Sequence, residues 1–182
     1  MTSFSIIGTG NMANAIGGVL AEGGSSVAYV AHSEVGSAPL GDVVVLAVPY
    51  PAVASVLSAY GDALAGKVVV DITNPLNFET FDSLVVPADS SAAAGIQEQV
   101  PGATVLKAFN TTFAATLASK KVGDVPTTVL VAGDDDAAKR TLIDAVKAGG
   151  VQAVDAGSLA RARELEALGF LQLTLAVGEK VA

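Results

Sequence analysis

The chain of 182 residues contains no cysteine, no tryptophan and a single histidine. Without cysteine there can be no disulfide, no thiolate catalysis and no cysteine-based metal site, and one histidine excludes a His-rich metal centre. Charge is also scarce, with 10 Lys and Arg against 18 Asp and Glu. The resulting net charge of −8 argues against nucleic acid or an anionic membrane as a partner, because few cations are available to neutralise phosphates.

Long apolar runs are missing as well. No stretch approaches the ~20 residues that cross a bilayer, and the start "MTSFSIIG" lacks the basic and apolar regions of a signal peptide. We therefore expect a cytoplasmic protein that does not contact membranes. Because 51% of the residues are hydrophobic, we also expect one globular domain over residues 1–182 that ends in a long helix.

Short apolar runs alternate with alanine-rich helical segments, which is typical of an α/β doubly wound sheet. Several runs, such as "VVVLAV", are apolar at consecutive positions and favour parallel strands covered on both faces. The predicted strands are Phe4–Ile7, Ser26–Ala31, Val43–Val48, Val68–Ile72, Thr104–Phe109, Thr127–Val131 and Val151–Val154. The predicted helices are Asn11–Glu22, Pro51–Leu64, Ser90–Gln99, Asp135–Ala148 and Leu159–Lys180.

One connection is too short for the usual dinucleotide-binding topology. Only "HSEVGSAPLGD" separates the second and third predicted strands, whereas a parallel crossover takes a dozen or more residues. We predict a Rossmann-like, mainly parallel sheet that begins in the order 2-1-3, with the usual third strand and its helix missing and extra strands toward the C-terminus.

The stretch "IIGTGNMANAIG" places Gly8, Gly10 and Ala13 at the spacing of a dinucleotide-binding fingerprint, between a strand and a helix. Gly8 would permit the tight turn, Gly10 would let the backbone approach a pyrophosphate, and Ala13 would allow close helix packing.

After the second strand, where NAD-binding proteins carry an acidic residue, the chain has His32 and Ser33. A hydroxyl and an imidazole can donate to a 2′-phosphate, so we expect NADP to be preferred, with Glu34 leaving NAD as the lesser alternative.

Three further strands end in "AVPYPAV", "DITNP" and "KAFNTT". Ligands of open α/β sheets lie beyond the carboxyl ends of the strands, which places Ala47–Tyr50 beside the dinucleotide. Lys107 is given no role, since a strand lysine usually extends its amine to the surface. The acidic run in "GDDDAAKR" is interpreted as a helix cap and not as a metal site. The leucines of the last helix fit either core packing or a dimer seam at Leu165, Leu168, Leu171 and Leu175.

Six blocks together resemble the NADP oxidoreductases that depend on coenzyme F420, a deazaflavin. They are "GTGNMA", "AVPYPAV", "VVVDITNPLN", "VLKAFNTTFA", "VLVAGDDDAAKR" and "DAGSLARARELEALG". The likeness covers nearly the whole chain and implies a Rossmann sheet and hydride transfer between NADPH and the deazaflavin. "KAFNT" segments also occur in relatives that pass hydride to flavins, so the acceptor stays open between the two.

The resemblance also implies a set of binding residues. The pyrophosphate would be held by Thr9, Gly10, Asn11 and Met12. Ala47, Val48, Pro49 and Tyr50, with Thr73, Asn74 and Pro75, would surround the ribose and nicotinamide. Phe109 and Asn110 would lie beside the acceptor ring, Asn110 standing where deazaflavin enzymes often have a histidine, and we expect its amide to donate to a ring carbonyl. No catalytic side chain is expected, because the cofactors supply the chemistry.

The expected partners are a small-molecule acceptor and a second copy of the chain in a homodimer. The alternative is an NADPH sensor without turnover.

Overall fold

The computed structural model describes residues 1–178, and within that range seven strands form one sheet in the order β2-β1-β3-β4-β5-β8-β9. The strands of this sheet are β1 (Ser3–Ile7), β2 (Ser26–Val30), β3 (Val43–Leu46), β4 (Val68–Asp71), β5 (Thr104–Ala108), β8 (Thr128–Gly133) and β9 (Gln152–Gly157). A separate hairpin pairs β6 (Lys121–Val122) with β7 (Val125–Pro126). The predicted α/β architecture and its 2-1-3 start are confirmed.

Six α-helices connect or follow these strands within residues 1–178. They are α1 (Asn11–Glu22), α2 (Tyr50–Tyr60), α3 (Ala92–Gln99), α4 (Ala114–Ser119), α5 (Asp136–Ala148) and α6 (Ala162–Val177). The predicted helix Pro51–Leu64 divides into α2 and a 3₁₀ turn, Gly61–Leu64, and the last predicted helix begins with a 3₁₀ turn, Leu159–Arg161. Its predicted end at Lys180 lies outside the described residues. Helix α4 and the β6–β7 hairpin were not predicted.

The strands are apolar at consecutive positions because both faces of the sheet are covered. In β3 all four residues are buried, and they alternate between two cores. Val43 and Val45 pack with α1 and α5 residues on one face, whereas Val44 and Leu46 pack with α2 and α3 residues on the other. This is the pattern expected for parallel strands between helical layers.

The direction of β8 limits the width of the functional edge. Strands β2, β1, β3, β4 and β5 are parallel, so their carboxyl ends share one edge of the sheet, which we call the rim. Strand β8 pairs antiparallel with β5, and β9 follows β8 in parallel. The rim therefore belongs to the first five strands.

The acidic run before α5 acts as the predicted cap. The side chain of Asp135 accepts a hydrogen bond from the backbone N–H of Ala138 at 2.8 Å, at the N-terminus of α5. Within residues 1–178, no group of three or more His, Cys, Asp or Glu side chains is arranged to hold a metal ion. Nor does this part of the chain contain a helix with both the length and the apolar character needed to span a bilayer.

Candidate functional site

The glycine turn after β1 is pressed against the tip of β3. Gly8 has φ of +123°, and a Cβ at this position would overlap the carbonyl group of Ala47. The N–H of Gly8 donates to Val30 O at 3.0 Å, and the N–H of Ala47 donates to Ile7 O at 2.9 Å. Only glycine combines this conformation with so close an approach, so the turn fixes the tips of β1, β2 and β3 against one another.

Gly10 differs from Gly8 because its backbone is extended and a Cβ there would meet no described atom within 4 Å. Its carbonyl accepts the first bond of α1, from Asn14 N at 3.0 Å. The side chain of Asn14 donates to Thr9 O at 3.1 Å and braces the turn. Among the described residues no side chain caps α1, so its first N–H groups face outward, an arrangement that suits a phosphate.

A cavity of about 340 Å³ opens beside this turn, and we call it the turn cavity. It brings together seven of the residues predicted from the sequence, which are Gly8, Thr9, Gly10, His32, Ala47, Val48 and Pro49. Val30, Val35 and Val56 form part of its apolar wall. An apolar cleft with polar groups at one end is typical of a nucleotide site.

The first 3₁₀ turn after β2, His32–Glu34, contributes His32 but not Glu34 to the lining of the turn cavity. His32 and Ser33 are exposed. The carboxylate of Glu34 folds back and accepts the backbone N–H of Ala31 at 3.0 Å. That bond gives Glu34 a local structural role, whereas His32 lines the turn cavity.

At the tips of β4 and β5, two asparagines bind each other reciprocally. Asn74 Nδ2 donates to the backbone O of Asn110 at 2.9 Å, and Asn110 Nδ2 donates to Asn74 Oδ1 at 2.9 Å. The second Nδ2 hydrogen of Asn110 is directed at the backbone O of Leu165 in α6, at 2.8 Å. Both donors of the Asn110 amide are therefore used within the protein, and the expected donation from this amide to an acceptor ring is wrong.

The backbone before Asn110 is strained. Phe109 is buried and has φ of +64°, in the left-handed region that non-glycine residues seldom occupy. The conformation ends β5, and Thr112 Oγ1 stabilises it by donating to Phe109 O at 2.8 Å. Strain of this kind costs on the order of 1–3 kcal/mol and concentrates at functional sites. It turns Asn110 from the strand toward Asn74 and α6.

A second cavity, of about 110 Å³, lies at these tips, and we call it the amide cavity. It is lined by Met12, Ile72, Asn74, Phe109, Asn110, Thr111, Thr112, Phe113, Gly169, Gln172 and Leu173. Because Met12 belongs to the first turn of α1, the amide cavity adjoins the same helix N-terminus as the turn cavity. Both cavities therefore contact the start of α1, through Gly10 in the turn cavity and Met12 in the amide cavity.

Lys107 is completely buried, contrary to the expectation that its amine would reach the surface. Its Nζ contacts Asp71 Oδ2 at 2.7 Å, Glu166 Oε1 at 2.8 Å and Thr73 O at 2.6 Å. The expectation failed because the neighbouring strand and α6 each supply a buried carboxylate. Such a cation is stable in the interior only when it is paired in this way.

These charges hold the β4 tip and α6 in place. Asp71 Oδ1 accepts the N–H of Thr73 at 2.8 Å while Lys107 binds the carbonyl of Thr73, so both backbone groups of that residue are fixed. Glu166 also accepts the N–H of Ala92 at 2.8 Å, at the N-terminus of α3. The cluster of Asp71, Lys107 and Glu166 therefore joins β4, β5, α3 and α6.

Tyr50 begins α2 beside this cluster. Partial burial raises the pKa of its phenol above the ordinary value, and the charges of Glu166 and Asp71 raise it further while Lys107 opposes them. The phenol thus remains a neutral hydrogen-bond donor at neutral pH.

Several predicted residues lie outside the two cavities. They are Asn11, Ala13, Ser33, Tyr50, Thr73 and Pro75. Ala13 is buried in the core, as its packing role requires. Sequence reasoning missed Asn14, Glu166, Gly169 and Gln172. Of these, only Asn14 could have been found from the sequence, because it lies in the first turn of the helix that follows the glycine fingerprint.

Comparison with known proteins identifies a family that the chain resembles. The sequence profile of the family described as NADP oxidoreductase, coenzyme F420-dependent, matches residues 27–75. The F420-dependent NADP reductase of Methanocaldococcus jannaschii is 35% identical over 144 residues, which cover 77% of this chain and 64% of the relative. Over about three quarters of its length the chain is similar to a reductase of this family. The resemblance inferred from the sequence is confirmed.

Two further proteins extend the comparison. The crystal structure of an inferred F420-dependent NADP reductase from Arthrobacter sp. FB24 superposes with a TM-score of 0.83 at 26% identity, covering 98% of this chain and 96% of that one. A metalloreductase of Rattus norvegicus is 38% identical over 115 residues, 63% of this chain and 22% of the relative. The chain spans somewhat less than two thirds of the length of the first of the curated relatives above and a much smaller part of the second.

Proposed function

We propose that the protein is an oxidoreductase that binds NADP(H) and transfers hydride between NADPH and a flavin or a deazaflavin of the F420 type. The proposal rests on two neighbouring cavities at the rim that share one helix N-terminus. A nucleotide-sized turn cavity and a small polar amide cavity both adjoin the N-terminus of α1. A dinucleotide has the same plan, with an adenosine half, a central pyrophosphate and a nicotinamide half.

The residues present fit such a cofactor. Open space at Gly10 and the outward N–H groups of α1 suit the pyrophosphate, because a helix N-terminus favours an anion. At the adenosine end, His32 and Ser33 offer donors to a 2′-phosphate, while the carboxylate of Glu34 is bound to Ala31. This set favours NADP(H) over NAD(H).

When bound, the nicotinamide supplies the hydride, and the chain supplies geometry. Gly8 and Asn14 hold the turn that receives the pyrophosphate. Asp71 and Lys107 fix the backbone of Thr73, and the asparagine pair fixes the adjoining tips of β4 and β5. The Phe113 ring, which is partly exposed, lines the amide cavity and offers an apolar surface to a planar acceptor. The M. jannaschii relative is named for the same pair of reactants.

Titration calorimetry with NADPH and NADH tests the binding half of the proposal. We expect NADPH to bind more tightly, and we expect the preference to shrink in a His32→Ala, Ser33→Ala double variant. Stopped-flow oxidation of bound NADPH by FMN, FAD and F420 tests the transfer half. Equal affinity for the two cofactors would refute the assignment of the 2′-phosphate site. Tight binding without oxidation by any of the three acceptors would favour the sensor over the enzyme.

We also propose that α6 pairs with a second copy of the chain. Leu165 is buried, but Leu168 and Leu171 are 42% and 54% exposed. Core packing therefore does not explain Leu168 and Leu171, and adjacent exposed leucines favour an interface. Light scattering on Leu168→Glu, Leu171→Glu protein should show a monomer where the wild type is a dimer, whereas a monomeric wild type would contradict the proposal.

A further inference from the structure

The amide of Asn110 is oriented unambiguously by its neighbours. Its Nδ2 faces two oxygen acceptors, Asn74 Oδ1 and Leu165 O. Asn74 is fixed in turn, because its own Nδ2 donates to the Asn110 backbone O. Reversing either amide would place oxygen against oxygen, so the assignment of nitrogen and oxygen follows from the network.

This orientation leaves one atom of the pair without a partner. Asn110 is 7% exposed, and its Oδ1 accepts no hydrogen bond from any residue that the structure describes. A buried, unsatisfied amide oxygen is costly and uncommon in folded proteins. Since Asn110 lines the amide cavity, the missing partner is to be sought in a ligand, and it must be a donor.

The size of the amide cavity limits what that donor can be. An apolar cavity of ~150 Å³ holds benzene, so the present cavity of about 110 Å³ accommodates part of one six-membered ring with a substituent. It is too small for the three fused rings of a flavin or deazaflavin. Met12 connects it to the first turn of α1, where the pyrophosphate is proposed to bind.

We propose that Asn110 Oδ1 accepts a hydrogen bond from the carboxamide NH₂ of the nicotinamide ring. This inference rests on the proposed function, and it changes the assignment of Asn110 from the acceptor to the cofactor. The residue then acts by positioning: one hydrogen bond from the carboxamide fixes the rotation of the ring about its glycosidic bond. Asn74 and Leu165 contribute by keeping the oxygen, and not the nitrogen, toward the ligand.

A cofactor analogue tests the inference without altering the protein. 3-Acetylpyridine adenine dinucleotide phosphate replaces the carboxamide NH₂ with a methyl group and keeps the carbonyl. We expect it to bind the wild type about tenfold more weakly than NADP⁺ by titration calorimetry, since one hydrogen bond to a buried acceptor is lost. In Asn110→Ala the difference between the two ligands should disappear.

Gln172→Ala provides the matched control, because Gln172, in α6, is the primary amide that lines the cavity besides Asn74 and Asn110. The tenfold difference should persist in this variant. Equal binding of the two ligands by wild type would overturn the inference while leaving NADP(H) binding intact, and loss of the difference in Gln172→Ala alone would assign the contact to Gln172 instead. Failure of NADP⁺ and NADPH to bind at all would overturn the proposed function and this inference with it.

Discussion

Lys107 of β5 and Glu166 of α6 are 59 residues apart in the chain and form a 2.8 Å ion pair that is buried on both sides. Asp71 completes the cluster at 2.7 Å. Because both carboxylates are paired with the Lys107 ammonium, neither could stay buried and charged without it. Glu166 is stabilised further by the backbone N–H groups of Ala92 and Ala93 at the start of α3.

Lys107→Met should therefore lower the free energy of unfolding by about 3–5 kcal/mol, the cost of leaving buried charges unpaired. In the double variant Lys107→Met, Glu166→Gln, the loss of unfolding free energy should be about 1–3 kcal/mol smaller than the sum of the losses in the two single variants. Urea unfolding of the single and double variants measures both effects. Lys121→Met, at an exposed position in β6, is the control and should change stability by less than ~0.5 kcal/mol. Losses in the single variants that simply add up in the double variant would contradict the cluster.

Gly169→Ala and Gly18→Ala should have opposite effects, although both replace a helical glycine. Alanine normally stabilises a helix interior by up to about 1 kcal/mol relative to glycine. At Gly18 a Cβ meets open space, so we expect that gain. At Gly169 a Cβ would overlap Asn74 Oδ1 and lie 3.0 Å from Asn110 Nδ2, so we expect a loss of about 1–3 kcal/mol. Thermal unfolding of the two variants decides, and a stabilised Gly169→Ala protein would refute the close packing of α6 on the asparagine pair.

Gly10→Val should abolish NADPH binding while changing stability by no more than about 1 kcal/mol, because its side chain would occupy the place proposed for the pyrophosphate and no protein atom. Gly18→Val, within α1, should bind NADPH as the wild type does. Calorimetric titration and circular dichroism report affinity and folding separately. A folded Gly10→Val protein with undiminished affinity would mean that the turn is only a corner between β1 and α1.

The pair of Lys139 in α5 and Asp155 in β9 predicts a pH dependence of stability. The hydrogen bond between the two side chains lowers the pKa of Asp155, with help from the N–H of Gly157, and raises the pKa of Lys139 despite partial burial. A lowered carboxyl pKa contributes stability above the unfolded value of about 3.9 and loses it as pH falls through the folded value.

Asp155→Asn should thus be less stable than wild type at pH 7, and the difference between the two proteins should shrink as pH falls below the unfolded value of about 3.9. On the alkaline side, the raised pKa of Lys139 contributes below its unfolded value of about 10.4 and is lost above it. Melting temperatures across this range measure the difference. Asp144→Asn, an exposed position on α5 outside the ion pairs formed among the described residues, controls for loss of charge alone. A difference that stays constant down to pH 3 would contradict the ionic origin.

The sequence predicted the features that depend on local pattern. Consecutive valines in β3 and β4 indicated strands buried on both faces, and the short segment after β2 indicated the 2-1-3 order. The glycine turn was predicted together with seven of the thirteen residues that line the turn cavity. Most strand ends differ by one or two residues, since Val48, Ile72 and Phe109 leave the ladder to form the rim.

The rest depends on contacts between distant segments. The burial of Lys107 requires Glu166, which lies in a helix with no sequence signal for approaching β5. The donor role expected of Asn110 was wrong because Asn74 and Leu165 had already taken both hydrogens. The antiparallel direction of β8 was hidden because an unpredicted helix and hairpin precede it.

The spacing of the buried cluster also bears on how the chain folds during synthesis. Asp71 and Lys107 emerge from the ribosome well before Glu166, and domains form as units once their contacts are available. Until α6 has been made, Lys107 has only one of its two carboxylates, and the N–H groups of Ala92 and Ala93 lack the acceptor that they share in the native state. Docking of α6 is therefore a late, long-range step, and a ribosome stalled before Glu166 should hold a nascent chain whose rim is open to proteases.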